Sequence, residues 1–252
     1  MDIKLVGKTK SGKYKLKVND EVLTTYDDVL IKNGLIYKKQ IDYEVYEQMK
    51  KDHYYYDAYN KTISYIMKHQ RCTYEIKKYL EKFELSKEDG NKIINHLESI
   101  GLLNDKAYVK SYISDAINLS KDGPYKIKRE LLENHIDESI IDEELSKIDE
   151  DIIIDKMLKI ISKKFNSNHK YSKYQFKQKV SLEMVNLGYD RELAESLIEN
   201  FDFEEDDLLK QEYNKLYNKL SKKYDGYELE SKIKQKLYAK GFDINKINSI
   251  IS

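Results

Sequence analysis

The sequence predicts a mainly α-helical fold, in which tandem three-helix repeats form an elongated, curved array behind a small β-rich N-terminal segment. Three observations predict it. The first is a pattern written four times: two apolar residues four apart, a turn-like position four further on, one apolar residue, then a helix-capping Ser or Asp. The copies are Ile76–Leu80–Glu84–Leu85–Ser86, Ile127–Leu131–His135–Ile136–Asp137, Val180–Met184–Gly188–Tyr189–Asp190 and Ile233–Leu237–Gly241–Phe242–Asp243. The second is the period: cap positions 86, 137, 190 and 243 lie 51, 53 and 53 residues apart. A fixed period marks one helical module duplicated along a chain that works by surface contact. The third is the alternation of Ile3 and Leu5, then Tyr14, Leu16 and Val18, with polar neighbours, the period of half-buried strands.

In chain order, residues 1–52 read as the β-rich segment. Lys10, Ser11 and Gly12 supply the turn between its first two strands, and Val22 and Leu23 suggest a third. Residues 27–51 read as one or two helices with Val29, Leu30, Val45 and Met49 on the apolar side. Four repeats follow, at 53–103, 104–148, 149–201 and 202–252. Each opens with a longer helix, expected at 56–69, 105–120, 150–165 and 204–223. The middle helix carries the two apolar residues four apart, which share one face and can pack on a neighbour. Gly188 and Gly241 can take the left-handed conformation that ends a helix. His135 and Glu84 fill that place in the first two copies, so those helices are expected to end differently. After each cap oxygen, apolar residues return at helical spacing: Ile93 and Leu97, Ile141 and Leu145, Leu193, Leu197 and Ile198, then Ile247, Ile250 and Ile251.

Composition agrees. Charged residues are 36% and apolar ones 40% of 252, which suits slender helices with much exposed surface and requires no single large core. The one proline, Pro124, falls at a helix start, where a missing N–H is harmless. Net charge is zero, so wholesale attraction to nucleic acid or an acidic membrane is not expected. The first residues are not those of a signal peptide, and no apolar stretch approaches membrane-spanning length. Cys72 stands alone, which rules out an internal disulfide and favours an intracellular, cytoplasmic setting.

Motifs for catalysis are wanting. Gly7-Lys-Thr-Lys-Ser-Gly12-Lys13 matches seven positions of a phosphate-binding loop, but Tyr14 replaces the magnesium-holding hydroxyl and strand-like residues follow. A lysine-rich hairpin is the plainer reading. The histidines His53, His69, His96, His135 and His169 share no metal-ligand spacing. Asp149, Glu150 and Asp151 lack the spacing of a calcium loop and suit the first turn of a helix, as do Glu204, Glu205, Asp206 and Asp207. No nucleophile with a matched base stands out. No enzyme, metal or cofactor is expected.

Charge distribution says more than net charge. Residues 137–155 hold nine acids and one Lys, whereas 156–179 hold eight Lys and no acid. Within the basic run, Lys163, Lys164, His169, Lys170, Lys173, Lys177 and Lys179 interleave with Phe165, Tyr171, Tyr174 and Phe176. Cations beside aromatic rings suit a phosphate backbone or an acidic protein surface; the plain alternative is a solvated lysine face over core rings. Basic residues recur on the other middle helices: Lys77 and Lys78, Lys126, Lys128 and Arg129, Lys232, Lys234 and Lys236. Tyr74, Tyr125, Tyr174 and Tyr227 each stand two residues before an apolar position, where core packing is the commoner role and a binding stack the other.

Residues from Ala58 through Leu80, with Arg71-Cys72-Thr73-Tyr74-Glu75-Ile76, resemble the opening repeat of the RecX family of regulatory proteins. Leu97-Glu-Ser-Ile-Gly101-Leu-Leu-Asn104-Asp105-Lys-Ala107-Tyr108, followed by Gly123-Pro124-Tyr-Lys-Ile127 and Glu130-Leu131, is similar to that family's join between first and second repeats. The likeness covers residues 56–252, and the strand-rich start is similar to that of longer members. Cys72 departs by standing where a Ser usually opens a capping box with the Glu three residues on, and His135 replaces a frequent Gly. Many members have three repeats, whereas this chain has room for four.

The resemblance implies a non-enzymatic regulator of homologous recombination and DNA repair. It would lodge in the groove of the RecA recombinase filament on single-stranded DNA and restrain its ATPase and strand exchange. Partners implied are the RecA filament and, through it, single-stranded DNA; no membrane is involved and a monomer is expected. No family motif pins the contact residues. On charge alone they are Lys126, Lys128, Arg129, Lys163, Lys164, Lys170, Lys173, Lys177, Lys179, Lys232, Lys234 and Lys236. The alternative is a helical repeat protein that binds single-stranded nucleic acid directly, with steeply salt-dependent affinity.

Overall fold

The computed structural model describes residues 1–251. These fall into two compact units, Met1–Lys110 with Asn134–Ile136, and Ser111–Glu133 with Asp137 onward. The first unit opens with strands β1 (Ile3–Lys8), β2 (Tyr14–Val18) and β3 (Glu21–Thr25), an antiparallel sheet in that order. Leu5 pairs with Leu16 and Leu16 with Leu23. The inner face packs Ile3, Leu16 and Val18 against Val29 and Leu30 of α1 (Asp27–Lys32), Leu35, Ile41, and Met49 of α2 (Tyr43–Ile66). Between β1 and β2 the Thr9 N–H donates to the Lys13 carbonyl at 2.7 Å and Gly12 has φ 87°. The glycine-rich motif is thus a hairpin turn between two strands, with no helix behind it to present amides to phosphate.

Helix α2 differs from expectation. Residues 27–51 hold α1 and the start of α2 as expected, but the helix expected over 56–69 is not separate: α2 continues into it as one 24-residue helix, which runs through the 52/53 boundary drawn from the sequence. The reason is local: no Gly or Pro interrupts 43–66, and the Asp42 carboxylate caps the start by accepting the Val45 N–H at 2.8 Å. Tyr46 and Met49 serve the sheet's core, whereas Ala58 and Ile66 serve the first three-helix core with Ile76, Leu80, Ile93 and Leu97. Polar groups also fasten the sheet segment to α2. Buried Asp52 accepts from Lys32, Asn33 and Gln48 at 2.7, 2.8 and 3.1 Å. Asp57 meets Lys61, Tyr26 and Lys13 at 2.7, 2.7 and 3.3 Å. Burial pushes the Asp57 carboxyl up, but these three partners outweigh it and hold it at about 2.

Helices α3 (Thr73–Leu80) and α4 (Lys87–Ser99) complete the first repeat. The others follow the same plan: α5 (Asp105–Leu119), α6 (Pro124–Glu133) and α7 (Glu138–Leu145); α8 (Glu150–Asn166), α9 (Lys173–Asn186) and α10 (Arg191–Glu199); α11 (Asp206–Leu220), α12 (Gly226–Ala239) and α13 (Ile244–Ile251). All eight paired apolar residues, Ile76 to Leu237, are buried, each contributing about 2 kcal/mol. Ser86, Asp137, Asp190 and Asp243 cap the third helices by accepting backbone N–H groups of Asp89, Ser139, Leu193 and Asn245 at 3.1, 2.8, 2.8 and 2.9 Å.

Gly188 (φ 86°) and Gly241 (φ 79°) end their helices in the left-handed conformation. His135 was expected to end α6 otherwise and does not: its φ is 53°. Histidine tolerates that region better than most residues, and its imidazole has a partner, the Tyr74 ring, with centroids 4.2 Å apart in the first unit. Glu84 does depart. Helix α3 stops at Leu80, and the turn closes with Phe83 N–H to Leu80 C=O at 3.0 Å.

Within the second unit, successive middle helices meet end to end. Gly123 and Tyr125, at the start of α6, donate backbone N–H groups to the carbonyls of Leu187 and Gly188, just past α9, at 2.6 and 3.0 Å. The Ser172 hydroxyl, at the start of α9, donates to the Lys240 carbonyl past α12 at 2.6 Å. At the first joint free amides of one helix thus satisfy free carbonyls of the next, whereas at the second the Ser172 hydroxyl takes that part and the Lys173 amide donates to the Glu205 carboxylate. At both, opposite dipole ends face each other. The approach leaves no space for a side chain: a Cβ on Gly188 would lie 2.3 Å from the Lys126 nitrogen, and one on Gly241 2.5 Å from the Tyr174 ring.

Gly188→Ala is therefore expected to cost at least about 2 kcal/mol, combining left-handed strain of about 1 kcal/mol with displacement of backbone. Gly101→Ala, at φ 74° with open space around it, should cost only the strain, about 1 kcal/mol. Urea unfolding of both variants checks this; equal losses would remove the close-approach argument.

Candidate functional site

The acidic helix α7 and the basic run 156–179 lie in the second unit. The structure separates the lysines of that run into distinct groups. Lys156 turns inward and donates to the Ala116 and Asp122 carbonyls at 2.9 and 3.1 Å, and burial lowers its pKa. Lys164 pairs with Glu183 at 2.6 Å. Lys173 meets Glu199 at 2.7 Å, and Lys177 meets Glu199 and Glu195 at 2.9 and 3.7 Å. The third helix of the repeat, α10, thereby supplies acids that partly neutralise the middle helix. Hydrogen bonds from Lys173 and Lys177 hold the Glu199 carboxyl at about 2, from an ordinary 4.5.

Lys163, Lys170 and Lys179 are exposed and have no acid partner among the described residues. Lys170 and Lys179 flank one ring, with Nζ 5.7 and 4.4 Å from the centroid of Tyr171. Lys179, bonded to that phenol, pulls the Tyr171 pKa down, and the charges of Lys179 and Lys170 add to the shift. The four aromatics of the run do not form one surface. Phe165 and Phe176 belong to the core with Phe201 and Phe203, whereas the Tyr174 ring stands over Gly241 and is 58% exposed.

On α6, Lys126 pairs with Asp122 at 2.6 Å, Lys128 with Glu138 and Asp142 at 2.7 Å each, and Arg129 is exposed with no acid partner among the described residues. On α12, Lys232 lies 3.7 Å from Glu228 and over the Tyr224 ring at 4.5 Å; Lys234 and Lys236 have no acid partner among the described residues. Lys126, Lys179 and Lys232 each stand nine residues before the left-handed corner, on the same face of their own helices. The packing reading of the second-position tyrosines holds in part. Tyr74 is half-buried, whereas Tyr125, Tyr174 and Tyr227 are 63%, 58% and 87% exposed. Tyr125 and Tyr174 sit at helix starts where successive repeats meet, and Tyr227 stands at the start of α12, outside the cores.

Two lysines outside the charge-selected set belong beside it. Lys223 and Tyr224 stand 53 residues after Lys170 and Tyr171, and Lys232 lies over Tyr224 as Lys179 lies over Tyr171. Lys219 and Lys223 border the same ring. The repeat register was the signal that could have found Lys223; Lys219 has Asn166 as its counterpart, so no repeat signal marks it. No group of three or more His, Cys, Asp or Glu able to hold a metal occurs among the described residues. Cys72 is buried, which raises its thiol pKa, and Glu75 accepts its backbone N–H at 3.1 Å. No described helix is long and apolar enough to cross a membrane.

Comparison with known proteins agrees with this geometry. The model for the second three-helix domain of RecX matches residues 104–145, and that for the third matches 204–251. Between them α8–α10 form a further three-helix unit. The regulatory protein RecX of Bacillus cytotoxicus is 32% identical over 251 residues, covering 98% of this chain and 90% of the relative. That of Streptococcus agalactiae serotype III is 32% identical, covering 96% and 95%. A crystal structure of regulatory protein RecX superposes with TM-score 0.66 at 22% identity, over 79% of this chain and 99% of the other.

The Lys173–Glu199–Lys177 link gives an acid-side prediction. Because Glu199 titrates lower folded than unfolded, its stabilisation is complete above about 4.5 and is lost as pH falls toward 2. The side chain is about half exposed, so salt screens the effect. Glu199→Gln should flatten the acid limb of the unfolding curve between those values, measured by circular dichroism at low salt. An unchanged limb would show the link contributes nothing.

Proposed function

We propose that this chain, which belongs to the RecX family of regulatory proteins, binds the filament that RecA forms on single-stranded DNA and restrains its ATPase and strand exchange. Family membership over nearly the whole chain is the observation that carries this reading. The second unit supports it with a surface suited to such a partner. Arg129, Lys163, Lys170, Lys179, Lys234 and Lys236 leave positive charge free of acids, on helices set in repeated register. A filament presents its subunits and phosphates at regular intervals, and repeated helices can answer such spacing with repeated cations. Restraint then follows from binding one filament state more tightly than another. The contact needs no reacting groups from this protein, so the reading is non-enzymatic; the chain acts as a monomer in the cytoplasm and reaches DNA through the filament.

The test adds purified protein to RecA-coated single-stranded DNA and follows ATP hydrolysis, which is expected to slow with increasing protein. Unchanged hydrolysis at saturating protein would end this proposal. The free and paired cations should also differ. Reversing Lys163, Lys170 and Lys179 to Glu should weaken filament binding about tenfold or more, by loss of salt-sensitive contacts. Reversing Lys128 and Lys177, already matched to acids, should weaken it less. Equal effects would detach binding from the free cations.

A further inference from the structure

The fourth repeat carries a cleft lined by lysines where the third repeat has Asn166 and Glu183 at two of the corresponding places. A cavity of about 380 Å³ lies between the end of α11, the turn after it and α12. Lys219, Lys223, Lys232 and Lys236 line it around the Tyr224 ring, with Leu220 among its walls. Glu228 is the carboxylate paired with this group, 3.7 Å from Lys232 and itself largely exposed. No acid is paired with Lys219, Lys223 or Lys236 among the described residues.

The repeat register shows what has changed. Lys170, Tyr171 and Lys179 of the third repeat correspond to Lys223, Tyr224 and Lys232 of the fourth, with the same lysine-on-tyrosine contact at 4.4 and 4.5 Å. The two remaining places differ. Asn166 becomes Lys219, and Glu183, which neutralises Lys164 at 2.6 Å, becomes Lys236. The fourth repeat thus has the same scaffold with an acid removed and two cations added.

We infer that this cleft is a phosphate site for the backbone of single-stranded DNA, giving the protein a direct contact with nucleic acid at its last repeat. Several ammonium groups converging on one cavity repel each other until an anion enters. Lysines supply point charges for phosphate oxygens, and a tyrosine ring beside them offers a face for a base or sugar. A single strand can lower a phosphate and its sugar into a space of this size, whereas a duplex presents only its outer edge. The contact is independent of the recombinase, so it stands or fails separately from the filament reading.

The test measures binding of the full-length protein to fluorescein-labelled oligo(dT) without recombinase, across a salt series. Wild type should bind, and Lys219→Glu/Lys223→Glu/Lys236→Glu should weaken binding at least tenfold at low salt and reduce the slope of log affinity against log salt by about two to three. A control of equal charge change, Lys51→Glu/Lys68→Glu/Lys87→Glu on exposed positions of the first unit, should stay within about twofold. Circular dichroism verifies helix content, and the triple Gln variant should lose affinity in the same direction. Absence of wild-type binding, or equal loss in the control, overturns the inference. So does unchanged oligo(dT) affinity with impaired filament binding, which would give the cleft to an acidic protein surface.

Discussion

The second unit depends on one constraint: the start of a middle helix must bring its amides or its capping hydroxyl within hydrogen-bonding reach of the carbonyl end of the next. Each of those ends leaves backbone groups unpaired inside its own helix. Placing them face to face removes both deficits and sets opposite partial charges against each other. It demands that the receiving helix turn away sharply in the left-handed conformation. It also demands that almost nothing project from the backbone there, as the closeness of Gly123, Gly188 and Lys126 shows. Cores of modest size suffice in the second unit because its three-helix groups are fastened to one another by hydrogen bonds at their helix ends as well as by apolar packing within each group.

This arrangement explains the charge pattern. With cores small and helix ends engaged, the long sides of the middle helices remain for charge. Third helices answer some of those lysines with acids, as Glu195 and Glu199 do for Lys173 and Lys177. The lysines left without an acid partner among the described residues are fewer than the sequence count. A zero net charge is compatible with a local cationic patch because the balancing acids lie elsewhere, nine of them in residues 137–155.

Much of this was legible in the sequence. Periodicity placed the cap residues, the paired apolar residues and the three strands, because each reflects a local requirement: an oxygen for free amides, a face to bury, an alternation to satisfy a sheet. Less legible was anything set by a distant partner. His135 reads as a poor helix stop until the Tyr74 ring is beside it. The tyrosines at 125 and 174 read as core until the joint draws them to the surface. Charge counting could not tell Lys177 from Lys179, two positions apart, because Glu199 lies twenty-two residues downstream of one and out of reach of the other. The continuity of α2 was hidden for the opposite reason: a β segment followed by a repeat suggested a seam where the backbone has none.

Helix length carries one more consequence. Middle helix α6 has ten residues, whereas α9 and α12 have fourteen, a difference of about 6 Å at 1.5 Å per residue. Rungs of unequal length make a ruler that reads differently along its span. The extra turn therefore gives α9 and α12 a longer charged flank than α6 can offer, a difference that identical modules would not have.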